Sequence, residues 1–124
     1  MTQSLTRSRP KALYLEDEII LALDVAEGLS SDLGFEVHMA HNLTSAYRLV
    51  QLHKFEFALL DMNLGNGERS TDLGHLLSEG GTCVIFASGY NRNEIDRIGG
   101  FQLIEKPFNI ADIKRAFRSE QASH

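Results

Sequence analysis

Short apolar runs alternate with longer amphipathic segments along most of the chain. The apolar runs predict five buried strands, at residues 12–15, 35–40, 55–60, 83–87 and 101–104. Between and after them, apolar residues recur every three or four positions and predict five helices, at residues 18–33, 43–54, 70–78, 93–98 and 109–118. Strands and helices in strict alternation predict an α/β fold, in which helices cover both faces of a parallel sheet.

The predicted helices carry recognisable ends and faces. Asn42 and Asn109 precede the second and the last helix, where an Asn side chain can cap backbone N–H groups. Gly74 lies inside the third helix and lowers its propensity. The spacing predicts two buried faces, formed by Ile19, Leu23, Ala26 and Leu29 in the first helix and by Leu73, Leu76 and Leu77 in the third.

Length and composition restrict the classes of protein that this chain can belong to. Its 124 residues predict one domain over residues 11–120, with a flexible N-terminal tail at 1–10 and a C-terminal tail at 121–124. Lys and Arg number 12 against 17 for Asp and Glu, which argues against a nucleic-acid partner. No apolar run is long enough to span a membrane. The single cysteine, Cys83, indicates a reducing compartment, and we expect a cytoplasmic protein.

Polar side chains follow four of the predicted strands at the point where each strand ends. They are Glu16 and Asp17, then Asp61, Ser88 and Lys106. Because the carboxyl ends of parallel strands meet at one edge of a sheet, these side chains should converge. Three neighbouring carboxylates repel one another, and Mg²⁺ is the hard cation that such oxygen ligands suit. Together with the Lys106 cation and the Ser88 hydroxyl, they predict a phosphoryl-transfer site, with a carboxylate as nucleophile.

In this arrangement the chain resembles the receiver domain of response regulators (CheY-like proteins) over about residues 11–120. The matching segments are Glu16-Asp17, FALLDMNL around Asp61, VIFASGY around Ser88 and EKPF around Lys106. The resemblance implies a flavodoxin-like, doubly wound (βα)5 fold with strand order 2-1-3-4-5. It also implies that Asp61 accepts a phosphoryl group from the phosphohistidine of a histidine kinase.

The resemblance further assigns a role to each site residue. Asp17, Asp61 and the backbone carbonyl of Asn63 would bind Mg²⁺ directly, and Glu16 would act largely through water. Ser88 would bond the phosphoryl oxygens, and Lys106 would pair with the phosphate. The peptide bond between Lys106 and Pro107 is expected to be cis, as in many relatives.

Two departures from the family pattern bear on how the protein would switch. Leu103 stands where receivers usually have an aromatic residue, and Gly65 stands where they usually have proline. The segment Phe86 to Tyr90 resembles a subgroup with a Phe-Ala-Thr-Gly motif followed shortly by Tyr, associated with kinases of the HWE and HisKA2 types. Leu103 and Tyr90 are therefore the switch candidates, with Tyr90 replacing the usual aromatic residue.

The leading interpretation is a stand-alone phosphoacceptor, a signalling protein rather than an enzyme, that binds a downstream protein or phosphotransfer partner or drains phosphate from a shared kinase. A fragment of a longer protein is an open alternative. So is a small Mg²⁺-dependent phosphohydrolase, although Asn63 stands where those enzymes commonly have a second acid. A third alternative is a degenerate receiver used only for binding, which the set Asp17, Asp61, Ser88 and Lys106 disfavours.

Overall fold

The computed structural model describes residues 9–65, 67–89 and 100–122. Within these ranges five strands form one parallel sheet, and the strands are β1 (Lys11–Leu15), β2 (Glu36–Ala40), β3 (Phe57–Asp61), β4 (Cys83–Ser88) and β5 (Gln102–Glu105). Their order is β2-β1-β3-β4-β5, and every neighbouring pair is parallel. The predicted fold class and strand order are therefore confirmed.

The described helices are α1 (Ile19–Ser31), α2 (Leu43–Leu52), α3 (Thr71–Glu79) and α4 (Ile110–Ala122). The predicted cap of α2 is confirmed, because the Asn42 side chain accepts a hydrogen bond from the Ser45 N–H at 2.8 Å. A reciprocal pair caps α4, where Asn109 and Asp112 each accept from the other's backbone N–H at 3.0 Å. The helix predicted at residues 93–98 and the switch candidate Tyr90 lie outside the described residues.

Alternate side chains of each strand enter opposite sides of the sheet, which gives two cores. On one side Leu13, Leu60 and Phe86 pack with α2 and α3. On the other side Tyr14 and Leu59 pack with α1 and α4. Because both faces of the sheet are covered, the strands are apolar at nearly every position, as the sequence pattern indicates.

The predicted buried faces of two helices are wrong in part. In α1 Ile19 is 56% exposed and Leu23 is 60% exposed, and the residues that pack on the sheet are Ala22, Val25 and Leu29. In α3 Leu76 is 49% exposed. Apolar residues occur on both sides of these helices, so a spacing of three or four residues fits more than one face. Packing against the sheet selects the face.

Gly74, which weakens α3 locally, is explained by tertiary packing. A Cβ atom at this position would lie 2.3 Å from the Cζ atom of Phe86. Gly74 therefore lets α3 approach the aromatic ring on β4 that fills this core.

Near both ends of the described range, residues make contacts or continue a helix beyond the limits that the sequence pattern suggests. Arg9, which the sequence pattern assigns to a tail, donates hydrogen bonds to the carbonyl oxygens of Ser30 (2.6 Å), in the last turn of α1, and of Gly34 (3.0 Å), just beyond it. The Arg9 cation thereby satisfies carbonyl groups at the negative end of that helix. At the other end α4 continues to Ala122, past its predicted end at Arg118. In the described part of the chain no helix is both long and apolar enough to cross a bilayer.

Candidate functional site

The candidate site lies at the carboxyl edge of the sheet. Asp61 and Ser88 are the last residues of β3 and β4, while Glu16 and Lys106 directly follow β1 and β5. The register aligns these ends, because Asp61 pairs with Ala87 and Ser88 pairs with Glu105. The parallel sheet therefore brings residues distant in sequence to one edge.

Lys106 joins two of the acidic residues through short ion pairs. Its Nζ atom lies 3.0 Å from Asp61 Oδ2 and 2.9 Å from Glu16 Oε1. Both carboxylates are almost fully buried, with Glu16 1% and Asp61 4% exposed. Two buried carboxylates beside one partly buried ammonium leave an excess of negative charge, which low local polarity makes costly.

Asp17 completes the acidic cluster, which we define as Glu16, Asp17 and Asp61. Asp17 is exposed, and its Oδ2 atom accepts a hydrogen bond from the backbone N–H of Gly65 at 2.9 Å. This bond links the segment between β1 and α1 to the loop after β3, across 48 positions of sequence. In the sequence Gly65 stands out only as a departure from a family pattern, and no local signal indicates this contact.

Burial and charge perturb the titration of this site. Burial raises the pKa of Asp61 from 3.8 to about 7, with repulsion from Glu16 and Asp17 adding to the shift and the hydrogen bond from Lys106 opposing it. Burial lowers the pKa of Lys106, but its hydrogen bonds to Glu16 and Asp61 outweigh that effect, and the net pKa is raised. Burial and then repulsion from Glu16 raise the pKa of Tyr14, whose hydroxyl group is enclosed beneath the site.

A short antiparallel bridge follows β3, the strand that ends at Asp61. Asn63 and Arg69 face each other in a bridge closed by two hydrogen bonds, Leu64 N–H to the Glu68 carbonyl and Ser70 N–H to the Met62 carbonyl. The bridge joins the segment directly after β3 to the segment directly before α3.

Ser70 is a further site-supporting residue that the sequence analysis did not identify. Its side chain is fully buried, and its Oγ atom donates a 2.8 Å hydrogen bond to the backbone carbonyl of Asp61. A Ser directly before a helix usually signals an N-cap, yet Ser70 makes no capping bond to α3. The position of Ser70 before α3 therefore suggests a helix cap, whereas its hydroxyl group binds the backbone of Asp61 instead.

The donor set of the acidic cluster fits a small hard cation. Each of the three carboxylates offers one oxygen, and these oxygens lie within 4.8 Å of one another. Glu16 Oε1 is buried and accepts no well-directed hydrogen bond from the described residues, although Lys106 lies nearby. Carboxylate oxygens with open positions are the ligands that Mg²⁺ and Ca²⁺ take in proteins. Glu16, Asp17 and Asp61 can therefore hold a divalent cation.

Of the remaining predicted residues, Ser88 lies at the same edge of the sheet as the acidic cluster, whereas Leu103 does not. The Ser88 side chain is buried, and the Ser88 carbonyl accepts a 2.8 Å hydrogen bond from the Lys106 N–H. The peptide bond between Lys106 and Pro107 is cis. Leu103 is partly buried and packs into the core beside α2 and α3. Leu103 thus contributes packing in the inner part of β5, away from the polar edge.

Comparison with known proteins supports this interpretation of the fold. Neither a protein-family model nor a curated protein matches the sequence. Among solved structures, the chain is similar to SdrG from Sphingomonas melonis Fr1, with 25% identity, a TM-score of 0.77, and coverage of 90% of this chain and 96% of that one.

Two further structures have the same architecture. A response regulator from Burkholderia pseudomallei, with a phosphorylated aspartic acid, calcium ion and citrate, has 27% identity and a TM-score of 0.75, and the match covers 92% of this chain and 72% of that one. A response regulator receiver protein from Sinorhizobium medicae WSM419 has 22% identity and a TM-score of 0.79, with 90% and 93% covered. The chain therefore has the CheY-like fold of response regulator receiver domains.

Proposed function

We propose that the protein is a phosphoacceptor of a two-component phosphorelay and that Asp61 carries the phosphoryl group. The observation that carries this proposal is the contact of the Asp61 carboxylate with Lys106 at 3.0 Å, inside a cluster with Glu16 and Asp17. Phosphoryl transfer to a protein requires a nucleophile and positive charge to stabilise the transferred group, and a carboxylate beside a cation and a potential metal site provides both.

The proposed reaction moves a phosphoryl group from a phosphohistidine of a histidine kinase. An oxygen of Asp61 attacks phosphorus, the P–N bond of the donor breaks, and its electron pair returns to the imidazole nitrogen. The product is an aspartyl phosphate. The ammonium of Lys106 is already within hydrogen-bond distance of Asp61, so it can stabilise the negative charge on the transferred group without rearrangement.

Magnesium is the proposed cofactor. The carboxylates of Glu16, Asp17 and Asp61, with the backbone carbonyl of Asn63, would hold it. When bound, a divalent cation neutralises the charge of the phosphoryl oxygens. The chain's own contribution is to gather the ligands on rigid strand ends and to keep Lys106 beside the nucleophile.

The proposed output is a change in contacts with another protein. The Ser88 hydroxyl, buried at the end of β4, would bond the phosphoryl oxygens, and Tyr90 two residues later is the proposed reporter. The donor is proposed to be a kinase of the HWE or HisKA2 type, in the cytoplasm. We propose a stand-alone receiver. Its output would be the binding of a downstream protein or the removal of phosphate from a shared kinase.

Phosphorylation by a small donor tests the proposal. Wild-type protein is incubated with acetyl phosphate and Mg²⁺ and its intact mass is measured, beside Asp61→Asn and a control, Asp24→Asn, which removes an exposed carboxylate of α1. We expect one added phosphoryl group on the wild type and on Asp24→Asn, and none on Asp61→Asn. Failure of the wild type to gain phosphate from acetyl phosphate and from phosphorylated histidine kinases would refute the proposal.

A further inference from the structure

The backbone N–H of Gly65 is the starting observation. It donates a 2.9 Å hydrogen bond to Asp17 Oδ2, from the loop that follows β3. Asp17 is the exposed member of the acidic cluster, and Glu16 and Asp61 repel its charge. Without a fixed donor, an exposed and repelled carboxylate would turn toward solvent. The Gly65 N–H therefore holds Asp17 in the cluster.

A side chain at position 65 would disturb the contact with Asp17 and would not strain the backbone. The φ angle of Gly65 is outside the left-handed region, whereas that of Gly67 in the same loop is +87°. A Cβ atom at residue 65 would lie 2.9 Å from the same oxygen, Asp17 Oδ2. Any other residue would push this carboxylate away, and proline would also remove the N–H.

Hydrogen bonds join the described residues on either side of this N–H. Leu64 donates to the Glu68 carbonyl at 3.0 Å, and Gly67 donates to the Leu64 carbonyl at 3.1 Å. Ser70 fastens the end of the loop to Asp61 through its 2.8 Å hydrogen bond. The donor of Asp17 and the carboxylate of Asp61 are thus parts of one connected unit.

From these contacts we infer that Gly65 is a positioning residue for the divalent cation, acting through Asp17. This inference rests on the proposed function and assigns to it a residue at which typical receivers have proline. A carboxylate that is already oriented loses less freedom when it binds an ion. Partners that orient metal ligands commonly change metal affinity about 10- to 100-fold when removed. At this exposed bond we expect the lower end of that range.

Calorimetric titration with Mg²⁺ at neutral pH tests the inference in three variants of the full chain. Gly65→Ala keeps the N–H and adds the clashing Cβ, and it should weaken Mg²⁺ binding about 10-fold. Gly65→Pro also removes the N–H and should weaken it at least as much. Gly80→Ala is the matched control, because its φ is −85° and its new Cβ would come no closer than 3.5 Å to a neighbouring atom, so its affinity should equal that of the wild type.

A double-mutant cycle separates positioning from a general structural effect. In an Asp17→Ala background, adding Gly65→Ala should change the Mg²⁺ affinity less than about twofold, because the group through which Gly65 acts is gone. An equal loss in both backgrounds would overturn the inference. So would wild-type affinity in Gly65→Ala, whether or not Gly65→Pro folds.

Phosphorylation by acetyl phosphate provides a second readout. In Gly65→Ala the rate should fall at subsaturating Mg²⁺ and return to the wild-type rate at saturating Mg²⁺. A rate that stays low at saturation would contradict a role in positioning the cation. If the wild type accepts phosphate on Asp61 and Gly65→Ala binds Mg²⁺ normally, only the inference about Gly65 fails. If the wild type neither binds Mg²⁺ nor accepts phosphate, the proposed function fails with it.

Discussion

Removing the charge of Asp61 should stabilise the protein. Asp61 is 4% exposed, and its burial beside Glu16 and Asp17 raises its pKa from 3.8 to about 7 despite the contact with Lys106. The ionised carboxylate is therefore less stable in the folded protein than in the unfolded chain. Asp61→Asn keeps the size and shape of the side chain and abolishes the charge, and Lys106 retains Glu16 as its partner.

The size of the stabilisation expected for Asp61→Asn follows from the shift in the pKa of Asp61. A difference of about 3 pKa units, at about 1.4 kcal/mol per unit, gives an upper value of about 4 kcal/mol for the fully ionised group. Because the folded protein binds the extra proton, the stability of the wild type falls as the pH rises from about 4 to about 7. The amide in Asp61→Asn would not titrate, so the advantage of the variant should grow over the same interval and be complete near pH 8.

Urea unfolding in the presence of a metal chelator measures this advantage. At about pH 8 we expect Asp61→Asn to be more stable than the wild type by about 2 to 4 kcal/mol, and at about pH 5 by less than half as much. Asp24→Asn, in an exposed part of α1, should change stability by less than about 0.5 kcal/mol at either pH. The reasoning is refuted if Asp61→Asn is no more stable than the wild type near pH 8, or if its advantage does not shrink on acidification.

Two further predictions concern parts of the fold away from the acidic cluster. Gly74→Ala should destabilise the protein by about 1 to 3 kcal/mol in urea unfolding, because its Cβ would lie 2.3 Å from the Phe86 ring, whereas Gly80→Ala should be nearly neutral; equal effects would contradict this packing. Burial lowers the pKa of His53, so its contribution to stability is complete above about pH 6.5 and is lost as the pH falls. His53→Gln should remove that loss. The prediction would be contradicted if the free energy of unfolding, measured from pH 8 to pH 5, fell equally in the two proteins.

Several features of the protein could be predicted from the order of its residues. The alternation of apolar runs and amphipathic segments predicted the parallel sheet, and the caps at Asn42 and Asn109 lie where they were expected. The polar residues that end the strands also predicted the meeting of Asp61 and Lys106. These features were accessible because parallel strands always place their carboxyl ends together, whatever the details of packing.

Other features depend on contacts that no local pattern contains. Only the tertiary structure shows that Ile19 and Leu23 face outward, because α1 carries apolar residues on more than one side and the sheet selects which of them are buried. In the same way, only the folded chain brings the Gly65 N–H to Asp17 and the Ser70 hydroxyl to the Asp61 carbonyl.

The physical reason for this division is range. A periodic pattern reports which side of a helix or strand avoids water, and the residues that carry this information are at most a few positions apart. The contact of Gly65 with Asp17 spans 48 positions and uses a backbone N–H in a loop, which the end of no strand positions. The sequence by itself determined which chemical groups reach the carboxyl edge of the sheet. Tertiary structure decided which backbone groups hold them there, because those distances exist only after the sheet has formed.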